Sequence, residues 1–312
     1  MHRNGSGERM SENTDVNGKN ARFGFVVLHY LVDDATVACV ESIRQRCPGA
    51  AIVVVDNNSA NGSHERLQQR YAADSAVTLL HNDSNEGFAR GNNTGYEYAR
   101  NELHCDFIVT MNNDATVACD DFPALCEEDA RRDPSVGVIG PDIVSGRNGS
   151  HSNPIYSIID TRAEVKRQIR RFRVILFLLH LRLFRPLTQL KAKLTHRDAE
   201  ALPEHVNTTA DAVPGKPYKL HGACFVFTPA FVKRFAQAFD PGTFLYFEED
   251  ILLMRCREAG LGMLYDKRLR VDHLEDVSTD RMLRQDERRK MIFTLRNYVR
   301  SLKVMERYTA TR

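Results

Sequence analysis

The chain has 312 residues, 42% of them hydrophobic and 27% charged, and its 43 Lys and Arg against 41 Asp and Glu leave a formal net charge of +2. This composition excludes a chain disordered throughout. The near balance of charge excludes the basic field expected of a nucleic-acid-binding protein.

Residues 1–22 are rich in Asn, Gly, Ser, Glu and Lys and lack an apolar core or cleavage pattern. They read as a disordered leader and not as a signal peptide. From Arg22 onward short β-rich runs alternate with helical periodicity. Strands are expected at 23–29, 51–55, 77–80 and 107–111, and helices at 34–46, 61–71 and 90–102. Asp33 and Asp34 can cap the first helix, and Pro48-Gly49 stops it. The alternation predicts an α/β fold, with a Rossmann-like, mostly parallel central sheet flanked by helices.

Residues 151–217 break this rhythm and read as a basic helical insertion followed by a loop. Lys and Arg are scattered through 162–197, and 174–181 is almost wholly apolar. That run is too short to span a bilayer, which takes about 20 apolar residues. It predicts either a helix packed on the domain, a homo-oligomer contact, or a basic amphipathic element on an anionic membrane surface. Further strands are expected at 220–228, 263–265 and 269–271. A helix after Phe244 should close at Gly260, and 281–312 should form a basic C-terminal helix. The domain thus reads as a 23–150 half and a 218–280 half. The seven cysteines show no C-x-x-C pair and no zinc spacing. They read as reduced core residues of a cytosolic protein.

Ligands of such sheets sit beyond the carboxyl ends of the strands. Those ends carry Asp56, Asn57, Asn58, Asn85, Asn112, Asn113 and Asp114. Asp56 can accept from a pyrimidine N–H, or can close an ordinary Asx-type turn. Gly87, Gly91 and Gly95 allow close backbone approach, and Asn92 and Asn93 add amides at a helix start. The spacing is not G-x-G-x-x-G, which argues against a dinucleotide dehydrogenase. Asp114, after Asn112-Asn113, can hold Mg²⁺ or Mn²⁺, which needs only one or two carboxylates beside substrate phosphates. In the run Glu248-Glu249-Asp250, mutual repulsion can raise one carboxyl toward neutrality and improve a general base.

These motifs, in this order, resemble the family 2 inverting glycosyltransferases of GT-A fold, in particular the bacterial rhamnosyltransferase-like branch of cell-surface polysaccharide synthesis. The likeness covers about 23–278 apart from the insertion, and 85–95 matches N-x-G-F-x-x-G-N-N-x-G nearly letter for letter. It implies a donor-binding set of Asp56, Asn58, Asn85, Gly87, Arg90, Asn92, Asn93, Asn112 and Asn113. It also implies Asp114 and His273 at the metal, with Ser278 shortly after. Counting back from Arg255 puts Glu249 where the catalytic acid of the branch stands, with Asp250 the alternative. The resemblance implies a dTDP-rhamnose or UDP-hexose donor and a glycan or lipid-linked acceptor, at the cytoplasmic membrane face. A non-catalytic nucleotide-sugar-binding subunit is the alternative function. A nucleotidyltransferase fits less well, because the place of its glycine-rich loop reads His29-Tyr30-Leu31-Val32.

Overall fold

The computed structural model describes residues 21–184, 209–274 and 286–309. The leader up to residue 20, the middle of the insertion and Ser278 lie outside the described residues. Eight strands form one sheet in the order β3-β2-β1-β4-β7-β6-β8-β5. The first half of the order is parallel: β1 (Phe23–His29), β2 (Ala51–Asp56), β3 (Val77–His81) and β4 (Phe107–Asn112). The second half is mixed: β5 (Ala115–Val117), β6 (Val136–Ser145), β7 (Cys224–Phe227) and β8 (Gly262–His273), with β6 and β8 parallel and the other pairs antiparallel.

The parallel strands are buried on both faces, so they read as unbroken Val and Ile runs. Their side chains still alternate between two cores. Phe25, Val27, Ile52 and Val54 point into one, with α1 (Asp33–Arg46), α2 (Ser63–Tyr71) and α4 (Phe122–Arg132) on that face. Val26, Val53 and Val55 point into the other, against α3 (Gly87–Asn101), α6 (Pro229–Arg234) and α7 (Glu248–Glu258). A third core joins α5 (Arg162–His180), α7 and α8 (Glu287–Tyr308). Val165, Ile169, Phe172 and Leu179 supply the inner face of α5, so the insertion packs on the domain. No described helix is long and apolar enough to cross a membrane.

Several local expectations change. Val32, without a side-chain bond, is the N-cap of α1; Asp33 instead pairs with Arg66 at 2.6 Å. Helix α3 starts three residues earlier than its periodicity implies. Its Gly91 and Gly95 face the sheet, where an added Cβ would lie 2.6 Å from Leu28 Cδ1 and 2.3 Å from Val26 Cγ1. Strands β5 and β6 escape the sequence reading, and the two short strands expected after 260 are one strand, β8, whose pairing with β6 shifts register near Asp142. The cysteines are free thiols, six buried and Cys119 partly so.

Candidate active site

At the carboxyl ends of β1 and β4 a cavity of about 350 Å³ opens between the two halves of the sheet, a size within the range of small-molecule sites. Asn57, Asn85, Gly87, Asn112, Asn113 and Asp114 line it from the parallel half; His221, Gly222, Glu248, Glu249 and His273 line it from the other.

The pairing of β5 with β8 sets Ala115 opposite His273, which carries the His273 ring to the residue before β5. Its Nε2–H donates to Asp114 Oδ1 at 3.1 Å, and both side chains are buried. The other ring nitrogen, Nδ1, is buried without a partner among the described residues. A carboxylate and an imidazole in one cavity fit a divalent cation that keeps further positions for phosphate oxygens.

The acids at the start of α7 are lifted into place by Tyr246 and Phe247, both at positive φ (73° and 65°). Two non-glycine residues in this region are a costly local conformation. Glu249 reaches the cavity beside Gly222, where an added Cβ would lie 2.9 Å from Glu249 Oε1. Glu248, not among the residues expected at the site, also lines the cavity. Burial, and then the nearby Glu249, push its carboxyl up to about 8. Asp250 takes a different place. It is buried, pairs with Lys219 and accepts from the Ile159 amide at 3.3 Å. Of the two acids weighed as base, the fold brings Glu249 to the cavity and makes Asp250 an internal anchor.

Other expected donor contacts are redirected. Asp56 is fully buried and does not line the cavity; it accepts from the Ser59 amide at 3.2 Å, the turn-closing alternative, and from His81 Nδ1 at 2.8 Å. Asn58 is exposed and donates to Asp83 O. Arg90 Nε donates to Pro241 O at 2.9 Å outside the cavity. Asn92 donates to Phe88 O within its own helix. Asn93 is a clamp: its amide donates to Phe239 O, and Phe239 N donates back to it, both at 2.9 Å. The first amides of α3 are also spoken for. Glu86 N goes to Asn57 Oδ1, Gly87 N to Asn85 Oδ1 and Phe88 N to Phe244 O. The glycine-rich stretch therefore packs and positions; its leading N–H groups are not left open for phosphate.

Three imidazoles surround Asp56. His29 is held between Thr36 Oγ1 (2.7 Å) and Ser63 Oγ (2.8 Å), and burial lowers it to about 4, so it stays neutral.

The sequence profile of Glycosyl transferase family 2 matches residues 25–184, 160 of the 312. Asp114 falls inside that stretch; Glu249 and His273 lie beyond it. No curated protein matches the chain. Among solved structures, GalNAc-T7 with UDP, GalNAc and Mn²⁺ superposes with a TM-score of 0.55 at 15% identity, over 82% of this chain and 43% of its own. The chain thus spans less than half the length of that protein. The mannosyltransferase PcManGT from Pyrobaculum calidifontis, in complex with GDP-Man and Mn²⁺, superposes with a TM-score of 0.50 at 13% identity, over 94% of this chain and 74% of its own. Identities this low establish the fold, which is GT-A. With its profile covering just over half of the sequence, the chain belongs to glycosyl transferase family 2.

Proposed function

We propose that this protein is an inverting glycosyltransferase. It moves a sugar from a dTDP- or UDP-linked donor to a hydroxyl of a glycan or lipid-linked acceptor, in cell-surface polysaccharide synthesis. The observation that carries the reading is the convergence of Asp114, His273, Glu248 and Glu249 on one cavity from opposite halves of the sheet.

Asp114 and His273 would hold Mg²⁺ or Mn²⁺; both structural neighbours contain Mn²⁺. When bound, such an ion neutralises charge on the departing diphosphate. Glu249 serves as general base, taking the proton of the acceptor hydroxyl as that oxygen bonds to the anomeric carbon. The bond from that carbon to the diphosphate breaks on the opposite face, its electron pair leaving with the diphosphate. No sugar is attached to the enzyme. With its carboxyl pushed up to about 8, Glu248 keeps its proton at neutral pH and is suited to donate a hydrogen bond to a sugar oxygen. This leaves the base role to Glu249.

The outer face of α5 supports a peripheral position on an anionic membrane, at the cytoplasmic face. Val174 (58%), Phe177 (63%) and Leu181 (50%) are exposed there, at helical spacing and next to Arg170, Arg171 and Arg173. Such a patch can enter the headgroup region while the guanidinium groups meet lipid phosphates.

The first test is thermal denaturation with dTDP-, UDP- and GDP-sugars, each with and without Mn²⁺. Native-state binding at 100 times Kd adds about 2.7 kcal/mol. Metal-dependent stabilisation by a dTDP- or UDP-sugar is expected. A melting curve unmoved by every nucleotide sugar would overturn the reading and leave a non-catalytic role.

A further inference from the structure

The cluster around Asp56 lies outside the cavity chemistry. Asp56 Oδ2 is 2.8 Å from His81 Nδ1 and 3.6 Å from His64 Nδ1, and the two rings stand 4.7 Å apart. One ligand atom from each of the three residues falls within 4.8 Å of the others, the only such triad among the described residues.

His64 Nδ1 is buried, faces the carboxylate at 3.6 Å, beyond hydrogen-bond reach, and has no hydrogen-bond partner among the described residues. A ring nitrogen that faces an anion without bonding to it is placed to share a cation with that anion. Tetrahedral coordination at about 2.0–2.1 Å sets ligand atoms about 3.3–3.5 Å apart. The His64–Asp56 separation already matches that spacing. The His81 contact has to open slightly, and His81, 43% exposed on the outermost strand β3, has room to do so. The third imidazole, His29, is not a ligand, since both its nitrogens are taken by Thr36 and Ser63.

We propose that Asp56, His64 and His81 form a binding site for a divalent transition ion of the zinc class, distinct from the Asp114–His273 pair, with a fourth position open to water. Two imidazoles and one carboxylate suit Zn²⁺, Co²⁺ or Ni²⁺ better than Mg²⁺, whose shell is mostly oxygen and which at the Asp114–His273 pair would draw on substrate phosphates. The ion joins the end of β2, the first turn of α2 and the end of β3. It thereby braces the loop that begins at Asn57, a residue of the cavity wall. The site rests on this geometry and not on the transfer reaction.

The test uses the full chain, stripped with EDTA, in calorimetric titrations with Zn²⁺ and in absorption spectra with Co²⁺. One ion per chain and the visible Co²⁺ bands of a four-coordinate nitrogen and oxygen site are expected. His64→Ala and His81→Ala should each weaken Zn²⁺ at least tenfold, and Asp114→Asn should leave it unchanged. If His64→Ala fails to fold, His81→Gln on the exposed edge decides alone. Absence of saturable Zn²⁺ binding, affinity unchanged in the His81 variants, or loss in Asp114→Asn alone would each overturn the site. Affinity unchanged in the His81 variants would assign any bound ion to the thiols or to the cavity.

Discussion

His273 Nε2 lies 3.1 Å from Asp114 Oδ1 across a separation of 159 residues. The contact follows from strand register, since Ala115 faces His273 in the β5–β8 ladder. Neither residue alone is informative, because aspartates at strand ends and single histidines are common. Their meeting in one cavity is what carries meaning.

If this pair holds the divalent cation, Asp114→Asn should weaken Mn²⁺-dependent nucleotide-sugar binding by about 10- to 100-fold, the range seen when the surroundings of a metal are disturbed. Calorimetry with and without Mn²⁺ reads this directly. An unchanged Mn²⁺ requirement would remove Asp114 from the metal.

Glu249→Gln should keep donor affinity and lose about 10²- to 10⁴-fold in kcat, the usual share of a general base. Asp250→Asn should act on folding instead. It strands Lys219, whose side chain is only 12% exposed, and breaking a buried pair costs about 3–5 kcal/mol. Urea unfolding beside initial rates separates the two effects. A stable Asp250→Asn with no turnover, next to an active Glu249→Gln, would reverse the assignment.

Gly222→Ala tests the same carboxylate from the other side. The new methyl would sit 2.9 Å from Glu249 Oε1, so the flexible acid must turn away. The expected result is a fall in kcat of at least tenfold with an unchanged melting temperature. Full activity would mean that the position of Glu249 does not govern the rate.

The raised Glu248 carboxyl predicts a pH dependence. Its value moves from about 4.5 to about 8 on burial. Between those values the unfolded chain has lost the proton that the folded chain keeps. Stability from this group is therefore complete below pH 4.5 and declines as pH rises toward 8. Glu248→Gln should flatten that part of the melting-temperature profile. Parallel profiles for the two proteins would show that Glu248 ionises normally in the fold.

Replacing Arg170, Arg171 and Arg173 with Gln should weaken sedimentation with anionic vesicles, each basic residue near such a surface contributing about 1 kcal/mol. Arg167 should matter less, because Glu164 already meets it at 3.0 Å. Equal binding by the triple variant would remove the membrane from the account of α5.

The parallel half of the fold was legible because its strands and helices carry opposite periodicities and firm stops, as at Pro48-Gly49. Strand β6 was not, since Gly137, Gly140 and Pro141 interrupt its apolar run and conceal a strand whose burial is set by neighbours. For the site, Asn112 to Asp114 stood out by their place at a strand end, whereas Glu249 and His273 were singled out through the family resemblance, and the fold brings all of them to one cavity. Asn92, Asn93 and Arg90 misled for one reason. A polar residue near a ligand-binding end can be spent on distant backbone, and only the fold shows that Asn93 serves Phe239. Glu248 was not singled out from its acidic run, because the burial that outweighs the repulsion from Glu249 is visible only in the fold.

The reciprocal Asn93–Phe239 clamp and the bond from Phe88 N to Phe244 O form a hydrogen-bonded seam between the two halves. Gly87 belongs to it as well, because a Cβ there would lie 2.1 Å from Phe244 O. The halves are consequently not interchangeable cassettes. A chimera that grafts a foreign second half onto this parallel half has to bring a segment that answers Gly87 and Asn93, or the wall of the cavity comes apart.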